Sequence, residues 1–146
     1  MAKLYSFEVH TPYRLFYSAS VEAISLTLVD GEIGVYADHS PFTAPVNMGI
    51  LRIKDKSGEW KPAFITEGIL EVKNHKTVLV VDAAEWPDEI DYDRAVAAKD
   101  RAAEALKSAV LRFEVDNAAA NLKRAETRLK AYGLRKEEAD KAGAVL

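Results

Sequence analysis

The chain has 146 residues, of which 49% are apolar and 29% charged, and its formal net charge is -3. This length and apolar content suffice for a buried core, whereas the small negative charge argues against a protein that binds nucleic acid over its whole surface. The chain has no cysteine, which excludes disulfides, a thiol nucleophile and a cysteine-based zinc site.

The first residues, MAKLYSFEVHTP, interrupt their apolar side chains with Ser6, Glu8 and His10. The pattern therefore indicates neither a signal peptide nor a transit peptide. No later run approaches the roughly 20 apolar residues that a membrane helix needs. We expect no direct membrane insertion, so any work at a membrane would depend on partners.

From Lys3 to about Asp82 the apolar residues recur with the period of two that is typical of half-buried strands. Turn signals separate these strands, and no helical segment lies among them, which favours an antiparallel sandwich or barrel. The stretches GEWKPAFIT and GILEVKNHKTVLVV predict successive hairpins. The alternating apolar residues are Tyr5, Phe7 and Val9, then Ile24, Leu26 and Leu28, then Leu51 and Ile53, then Val78 and Val80.

After Pro87 the pattern changes to helix. The 42 residues from 91 to 132 contain no Gly or Pro and are rich in alanine and other helix formers. Asp88 or Asp91 can cap the start, and Gly133 is placed to end the helix. We therefore predict two domains, 1–87 and 88–134, and a flexible tail over 135–146.

A single helix of that length would span about 60 Å, which is long beside so small a sandwich, so we predict a break. The candidate is the segment 109–117, AVLRFEVDN, because it contains β-branched and aromatic residues where the neighbouring segments have alanine. Asp116 could cap a second helix. Nothing in this segment forbids a continuous helix. Two alternatives stay open: a fixed hairpin, or a bistable element that also extends.

No motif in the sequence indicates catalysis. His10, His39 and His75 are scattered without metal-ligand spacing. His39 beside Ser40 lacks the strand-turn-helix setting of a nucleophile, and the glycine patterns that cradle phosphates are missing. We predict a protein without an active site, a metal or a catalytic cofactor.

Four arginines at helical spacing are more informative. Arg94 and Arg101 are seven residues apart and share one helix face, as do Arg124 and Arg128 at a spacing of four. In an antiparallel hairpin the two pairs face each other and require an anion, and guanidinium groups match phosphate oxygens in a bidentate way. A solvated helix face is the plainer alternative.

The second helical segment is locally basic. Residues 117–136 carry six basic side chains and one acid, Glu126, a local charge of +5 in a chain that is net negative. Such a helix suits an acidic protein surface or a polyphosphate, and nucleic acid less well because Tyr132 is its only aromatic residue. The basic residues are Lys123, Arg124, Arg128, Lys130, Arg135 and Lys136.

Three segments in this order carry a family resemblance: DGEIGVYADHSPFTAPVNMGILRI, TEGILEV and IDYDRA. Together they resemble the epsilon subunit of bacterial F-type ATP synthases over residues 4–132, nearly the whole chain. The resemblance implies a sandwich of about ten antiparallel strands followed by a C-terminal helical hairpin. It also implies a noncatalytic rotor subunit, peripheral on the cytoplasmic face of the bacterial inner membrane.

The resemblance further implies partners and a ligand. The sandwich would bind the gamma subunit and rest on the c-ring, thereby coupling proton flow to rotation. In an extended state the helices would reach the alpha and beta subunits of the catalytic head and block ATP hydrolysis. In the folded hairpin, ATP would be held as a regulatory ligand and would favour the noninhibitory state.

The resemblance assigns roles residue by residue. The nucleotide motif places Ile90, Asp91, Arg94 and Ala95 at the ATP site with Glu85 upstream, and the other ATP-contacting arginines fall on Arg101, Arg124 and Arg128. Lys123 and Lys130, with Arg124 and Arg128, would meet the beta subunit. Glu32 and His39 would face the c-ring, although a plain solvated-loop role for both remains open.

Two other functions remain alternatives to this rotor subunit. One is a β-sandwich adaptor whose helices bind a partner and sense no nucleotide, in which case the arginines are replaceable without loss. The other is a nucleic-acid binder that uses the basic stretch from Lys123 to Lys136, with binding that falls steeply with salt. We expect the rotor subunit, and therefore no binding of nucleic acid.

Overall fold

A computed structural model describes residues 3–145, with side chains described for residues 3–135. Two compact units divide the chain, Met1–Glu85 and Trp86–Leu146. The first is built from strands and the second from helices. Among the described residues, no helix is both long and apolar enough to cross a membrane.

Nine strands form one hydrogen-bonded sheet in the first unit, counted over the described residues. The strands are β1 (Tyr5–His10), β2 (Leu15–Leu28), β3 (Gly31–Tyr36), β4 (Phe42–Val46), β5 (Gly49–Asp55), β6 (Trp60–Ile65), β7 (Gly68–Lys73), β8 (Lys76–Val81) and β9 (Ala84–Glu85).

The long strand β2 connects the two halves of the sheet. Its first part pairs with β1, and its second part pairs with β3, β4 and β5. One half continues in the order β1-β8-β7-β4, and the other in the order β5-β6-β9. The predicted all-β sandwich is confirmed, with one departure: β1 and β8 run parallel, whereas the sequence predicted antiparallel pairs throughout.

Alternate side chains of both halves enter the core, as the period of two predicted. Phe7, Ile24, Leu51, Phe64 and Leu79 are all fully buried. The Tyr5 side chain is buried as well, and its hydroxyl donates a hydrogen bond of 2.6 Å to the carbonyl oxygen of Val35. Burial raises the pKa of this hydroxyl, so it stays a protonated donor.

The predicted facing of β8 is wrong by one residue. Thr77, Leu79 and Val81 are buried, whereas Val78 is half-buried and Val80 is 52% exposed. The run Val78–Val81 is apolar at every position, so the alternation itself does not select the inner face. The register of β8 with β7 decides it instead, because Leu79 lies opposite the buried Leu70.

The two predicted hairpins differ in outcome. GILEVKNHKTVLVV forms β7 and β8, joined by Asn74 and His75, and His75 adopts a left-handed conformation with φ of 65°. GEWKPAFIT is a single strand, β6, that pairs with the preceding strand β5.

The carboxylate of Asp55 fixes the β5–β6 turn. Hydrogen bonds from the Ser57 hydroxyl, followed by the Lys61 ammonium, lower the pKa of Asp55 to about 2.

The second unit contains a short 3-10 helix and two long helices. The 3-10 helix spans Pro87–Glu89, α1 spans Tyr92–Ser108 and α2 spans Arg112–Val145. Asp91 caps α1, with its Oδ1 accepting the backbone N–H of Arg94 at 3.1 Å, as predicted. The break between the two helices lies between Ser108 and Arg112, at the start of the predicted segment 109–117.

Two predicted helix boundaries are wrong. Asp116 does not cap α2, because that helix begins at Arg112 and the Glu114 carboxylate reaches back to accept the N–H groups of Val110 and Leu111 at 3.1 and 3.5 Å. Gly133 does not end α2, whose backbone continues to Val145. The following RKEEADKA is rich in helix formers, which outweigh one glycine. The predicted flexible tail, 135–146, consists mostly of residues whose side chains lie outside the described part of the chain, and its flexibility stays a prediction.

Candidate functional site

The two helices pack through small side chains. Of the side chains described on α1 and α2, the five that are buried are all alanine: Ala95, Ala102, Ala118, Ala125 and Ala131. Alanine lets the backbones approach closely but buries little more than one methyl group, about 0.8 kcal/mol of hydrophobic free energy each. We call these residues the alanine seam. The larger apolar side chains of the two helices, such as Leu106, Leu122 and Leu129, are half-buried.

Beside the alanine seam lies a cleft of about 350 Å³ walled by both helices. This volume lies within the range of roughly 300–1,000 Å³ that is usual for small-molecule sites. Three guanidinium groups and no carboxylate are found among its described lining residues. The lining is Ala98, Arg101, Ala102, Ala105, Asn121, Arg124, Ala125 and Arg128.

Asn121 and Glu104 are helical neighbours of Arg124 and Arg101, three residues away in each case. Arg124 donates a hydrogen bond of 3.3 Å to Asn121 Oδ1, which is neutral. Glu104, the carboxylate that α1 could offer to Arg101, is 3.6 Å from the Lys107 ammonium. Arg124 and Arg128 are half-buried on the cleft wall, whereas Arg101 is exposed. The arrangement concentrates positive charge where an anion with several oxygens can accept bidentate hydrogen bonds.

The cleft contains three of the four arginines that the sequence placed together. Arg94 is exposed and is not among the lining residues. The rings of Tyr92 and Tyr132 are in contact, with centroids 5.2 Å apart, which aligns the start of α1 with that part of α2. The part of α1 that lines the cleft runs from Ala98 to Ala105, so Arg94 lies about one helical turn before it.

Three of the four remaining residues assigned to the nucleotide site lie at or next to the start of α1. Ile90 is buried after the 3-10 helix, Asp91 caps α1, and Ala95 belongs to the alanine seam. Glu85 ends β9 and belongs to the strand unit. None of these four lines the arginine cleft. Their assignment to ATP stays a prediction.

Lys123 and Lys130 are exposed on α2, seven residues apart and hence on one face. Glu32 is exposed on β3. His39 is half-buried in the loop after β3, where its Nδ1 lies 2.9 Å from the carbonyl oxygen of Ser40 and its ring packs on Phe42 at 5.1 Å. The roles predicted for these four residues stay predictions as well.

A second candidate surface lies on the strand unit and was missed by the sequence reasoning. Strand pairing aligns Leu15 with His10, His10 with Val80, Val80 with Ile69, and Ile69 with Pro45. Leu15, Ile69 and Val80 are each more than half exposed, and Pro45 is exposed. We call this line across five strands the apolar row. A prediction that places Val80 on the outer face of β8 would have indicated this row.

Comparison with known proteins decides the family. Family models described as the beta-sandwich domain and the long alpha-helix domain of the ATP synthase delta/epsilon chain match residues 4–87 and 88–133. The chain belongs to the ATP synthase delta/epsilon chain family. The resemblance to the epsilon subunit, found from the sequence, is confirmed.

Similar members of this family have been named as epsilon chains in bacteria. The ATP synthase epsilon chain of Caldicellulosiruptor bescii is 46% identical over 134 residues, which cover 92% of this chain and 97% of that protein. The ATP synthase epsilon chain of Caldanaerobacter subterraneus is 48% identical over 131 residues, covering 89% and 94%.

Solved structures with this fold include chains of two mitochondrial ATP synthases. One is from the Euglena gracilis enzyme, with a TM-score of 0.66, 19% identity, and coverage of 91% of this chain and 79% of that chain. The other is from a central stalk and c-ring structure of Tetrahymena thermophila, with a TM-score of 0.59, 17% identity, and coverage of 90% and 98%. At these identities the likeness concerns the fold.

Proposed function

We propose that this epsilon-family chain is a noncatalytic rotor subunit of a proton-translocating ATP synthase, and that its helical hairpin responds to ATP. The observation that carries the second part is the arginine cleft, because its walls come from both α1 and α2. A ligand bound there stabilises only the folded hairpin. Its effect on the conformational equilibrium equals its difference in affinity between the folded and extended forms.

The chemistry of the cleft suits a nucleotide polyphosphate. Arg101, Arg124 and Arg128 supply a positive field, and alanine walls leave room for the ligand between them. When the hairpin opens, the same arginines become available, together with Lys123 and Lys130, to carboxylates of the beta subunit near its alpha neighbour. ATP and the catalytic head would then compete for one set of cations, so low ATP favours inhibition of hydrolysis.

The apolar row suits the predicted attachment of the strand unit to the gamma subunit. Its exposed Val80, Ile69 and Pro45 lie side by side and Leu15 follows beyond His10, whereas isolated exposed apolar residues need no explanation. The Tetrahymena thermophila structure that contains one structural relative is of a central stalk and a c-ring. We place this chain at the same junction, with Glu32 and His39 toward the c-ring, peripheral to the cytoplasmic face of the membrane.

Isothermal titration calorimetry tests the ATP response. We expect saturable one-to-one binding of ATP, and weaker binding of ADP because it offers fewer phosphate oxygens. Hydrogen bonds to charged groups contribute about 1.5–3 kcal/mol each, so Arg124→Ala with Arg128→Ala is expected to weaken ATP binding by about a hundredfold or more.

The matched control removes two exposed positive charges outside the cleft, by Lys99→Ala with Arg112→Ala, and is expected to keep the affinity for ATP. Absence of ATP binding up to millimolar concentration in the unmodified chain would leave a coupling subunit whose basic helix serves protein contacts alone. Equal weakening by both double variants would show a general charge effect rather than a site.

Copurification with the cognate gamma subunit tests the apolar row. Burying two carboxylates in an apolar interface is costly, so Ile69→Asp with Val80→Asp is expected to lower gamma binding by about tenfold or more. Val29→Asp changes an exposed apolar residue outside the row and serves as the control. If both variants bind gamma like the unmodified chain, the gamma surface lies elsewhere on the strand unit.

A further inference from the structure

A group of polar and aromatic side chains joins the helices at the end of the hairpin remote from its turn. The Nε of Arg135 on α2 is in contact with Oδ1 of Asp88 in the 3-10 helix. The Arg135 guanidinium also lies over the Tyr132 ring, 5.9 Å from its centroid, and that ring contacts Tyr92 in the first turn of α1. We call Asp88, Tyr92, Tyr132 and Arg135 the end clasp.

The end clasp is separate from the arginine cleft. None of its four residues is among those that line the cleft. It connects three segments, the 3-10 helix, the start of α1 and the distal part of α2, whereas the chain itself connects α1 to α2 only between Ser108 and Arg112. The helices are thus tied covalently at one end and by the end clasp at the other.

The position of the end clasp matters because, of the side chains described, only small ones are fully buried between the helices. Over the described part of α1 and α2 the fully buried side chains are all alanine, and larger apolar side chains such as Leu122 and Leu129 stay partly exposed in the closed hairpin. Separation that proceeds toward the covalent turn must break the Asp88–Arg135 pair and the Tyr92–Tyr132 contact. Modest interactions at this end therefore act directly on the open and closed populations.

We propose that the end clasp is a nucleotide-independent latch that holds the hairpin closed, and that ionic strength sets its strength. The side chains of Asp88 and Arg135 are 75% and 51% exposed, so dissolved salt screens their attraction. The tyrosine contact is insensitive to salt. Closure would then respond to two independent inputs: an anion in the cleft and the ionic medium at the clasp. This inference rests on the proposed opening of the hairpin.

A double-mutant cycle on the full chain tests the latch. The chain has no cysteine, so Lys99→Cys and Glu126→Cys, both at exposed positions, attach one spin label to each helix. Double electron-electron resonance then measures the distance between the two labels without nucleotide. Four backgrounds are compared: unmodified, Asp88→Arg, Arg135→Asp, and the double swap. An exposed ion pair with a cation-aromatic contact predicts that each single change raises the open-to-closed ratio by about threefold to tenfold.

Two further results are expected. The double swap restores part of the closed form, because the ion pair is re-formed with its charges exchanged while the contact of Arg135 with the Tyr132 ring is lost. In about 1 M salt, where the screening length is roughly 3 Å, the effect of the single changes shrinks. If the closed form dominates every distance distribution, urea is added. The urea concentration at which half of the molecules have separated labels then gives the same coupling.

The control is the pair Arg112 and Asp116, 4.0 Å apart within α2 and exposed, which links no second element. Its charge swap and single reversals are expected to leave the label distance unchanged. Single clasp variants that match the unmodified chain in both distance and urea midpoint would overturn the latch, as would a double swap no better than the singles.

The ATP titration separates this proposal from the one on which it rests. If the chain binds ATP at the cleft but the double-mutant cycle shows no coupling, the latch proposal is wrong and the proposed ATP response stands. Coupling in a chain that does not bind ATP keeps the latch and removes the ATP response. The labels could also stay together in every background and at every urea concentration below global unfolding. That result would contradict the proposed opening of the hairpin.

Discussion

Replacing Gly68 with alanine is expected to destabilise the strand unit by about 3 kcal/mol or more, a large share of the 5–15 kcal/mol typical of a domain. A Cβ atom at this position would lie 1.9 Å from the carbonyl oxygen of Val80 and 2.7 Å from Cγ1 of Val81. Gly68 pairs with Val46 on one side and Val81 on the other, so neither neighbouring strand can move away without loss of its hydrogen bonds. Urea unfolding measures the change.

Gly49→Ala is the matched control for Gly68→Ala. Gly49 also begins a strand of the same unit, and an added Cβ would meet only Thr27 Oγ1 at 3.9 Å, an ordinary contact. Because alanine is the less flexible residue in the unfolded chain, the control is expected to keep or raise the stability by about 0.5 kcal/mol. Equal losses in the two variants would contradict the explanation by steric contact.

Ala125→Leu is expected to separate α1 from α2. Ala125 is only 2% exposed and belongs both to the alanine seam and to the wall of the arginine cleft. Three additional carbon atoms at a closely packed site cost about 1–3 kcal/mol, and the closed hairpin alone bears that cost. The label distance between residues 99 and 126 should lengthen, and ATP binding should weaken by about tenfold or more, since 1.4 kcal/mol corresponds to a factor of ten.

Ala120→Leu places the same side chain on the exposed face of α2, five residues away, and is expected to leave both the distance and the affinity unchanged. Both leucines have nearly the helix propensity of alanine, so a difference between the variants reports packing between the helices. Weakened ATP binding without any change in distance would place the effect in the cleft itself rather than in the closure of the hairpin.

Much of the strand unit was predictable because alternation constrains one face of each strand. It succeeded for β1, where Tyr5, Phe7 and Val9 are buried as predicted. It failed for β8, where Val78 to Val81 offer no polar residue to mark the outer face. The parallel pairing of β1 with β8 also lay beyond a local pattern, because it joins residues about seventy positions apart in the chain.

The helical unit was predictable where a cap or a change in composition is strong. Asp91 caps α1 as predicted, and the bulky segment after Ser108 contains the break. Gly133 was a poor predictor because one glycine costs a helix only about 1 kcal/mol. The arginine cleft was partly predictable: spacing shows which arginines share a face on one helix, but the alignment of two helices depends on contacts such as Tyr92 with Tyr132.

The parallel pairing of β1 with β8 also bears on how the protein is made. Ser6 through His10 find their partners only at Lys76 through Val80, so a ribosome must release about eighty residues before the first strand can complete its pairing. Contacts of such sequence separation form slowly, whereas the helices that follow depend mainly on neighbours. The nascent strand unit therefore keeps one edge of β1 uncovered until β8 emerges and pairs with it, and during that interval the edge is open to pairing with other chains.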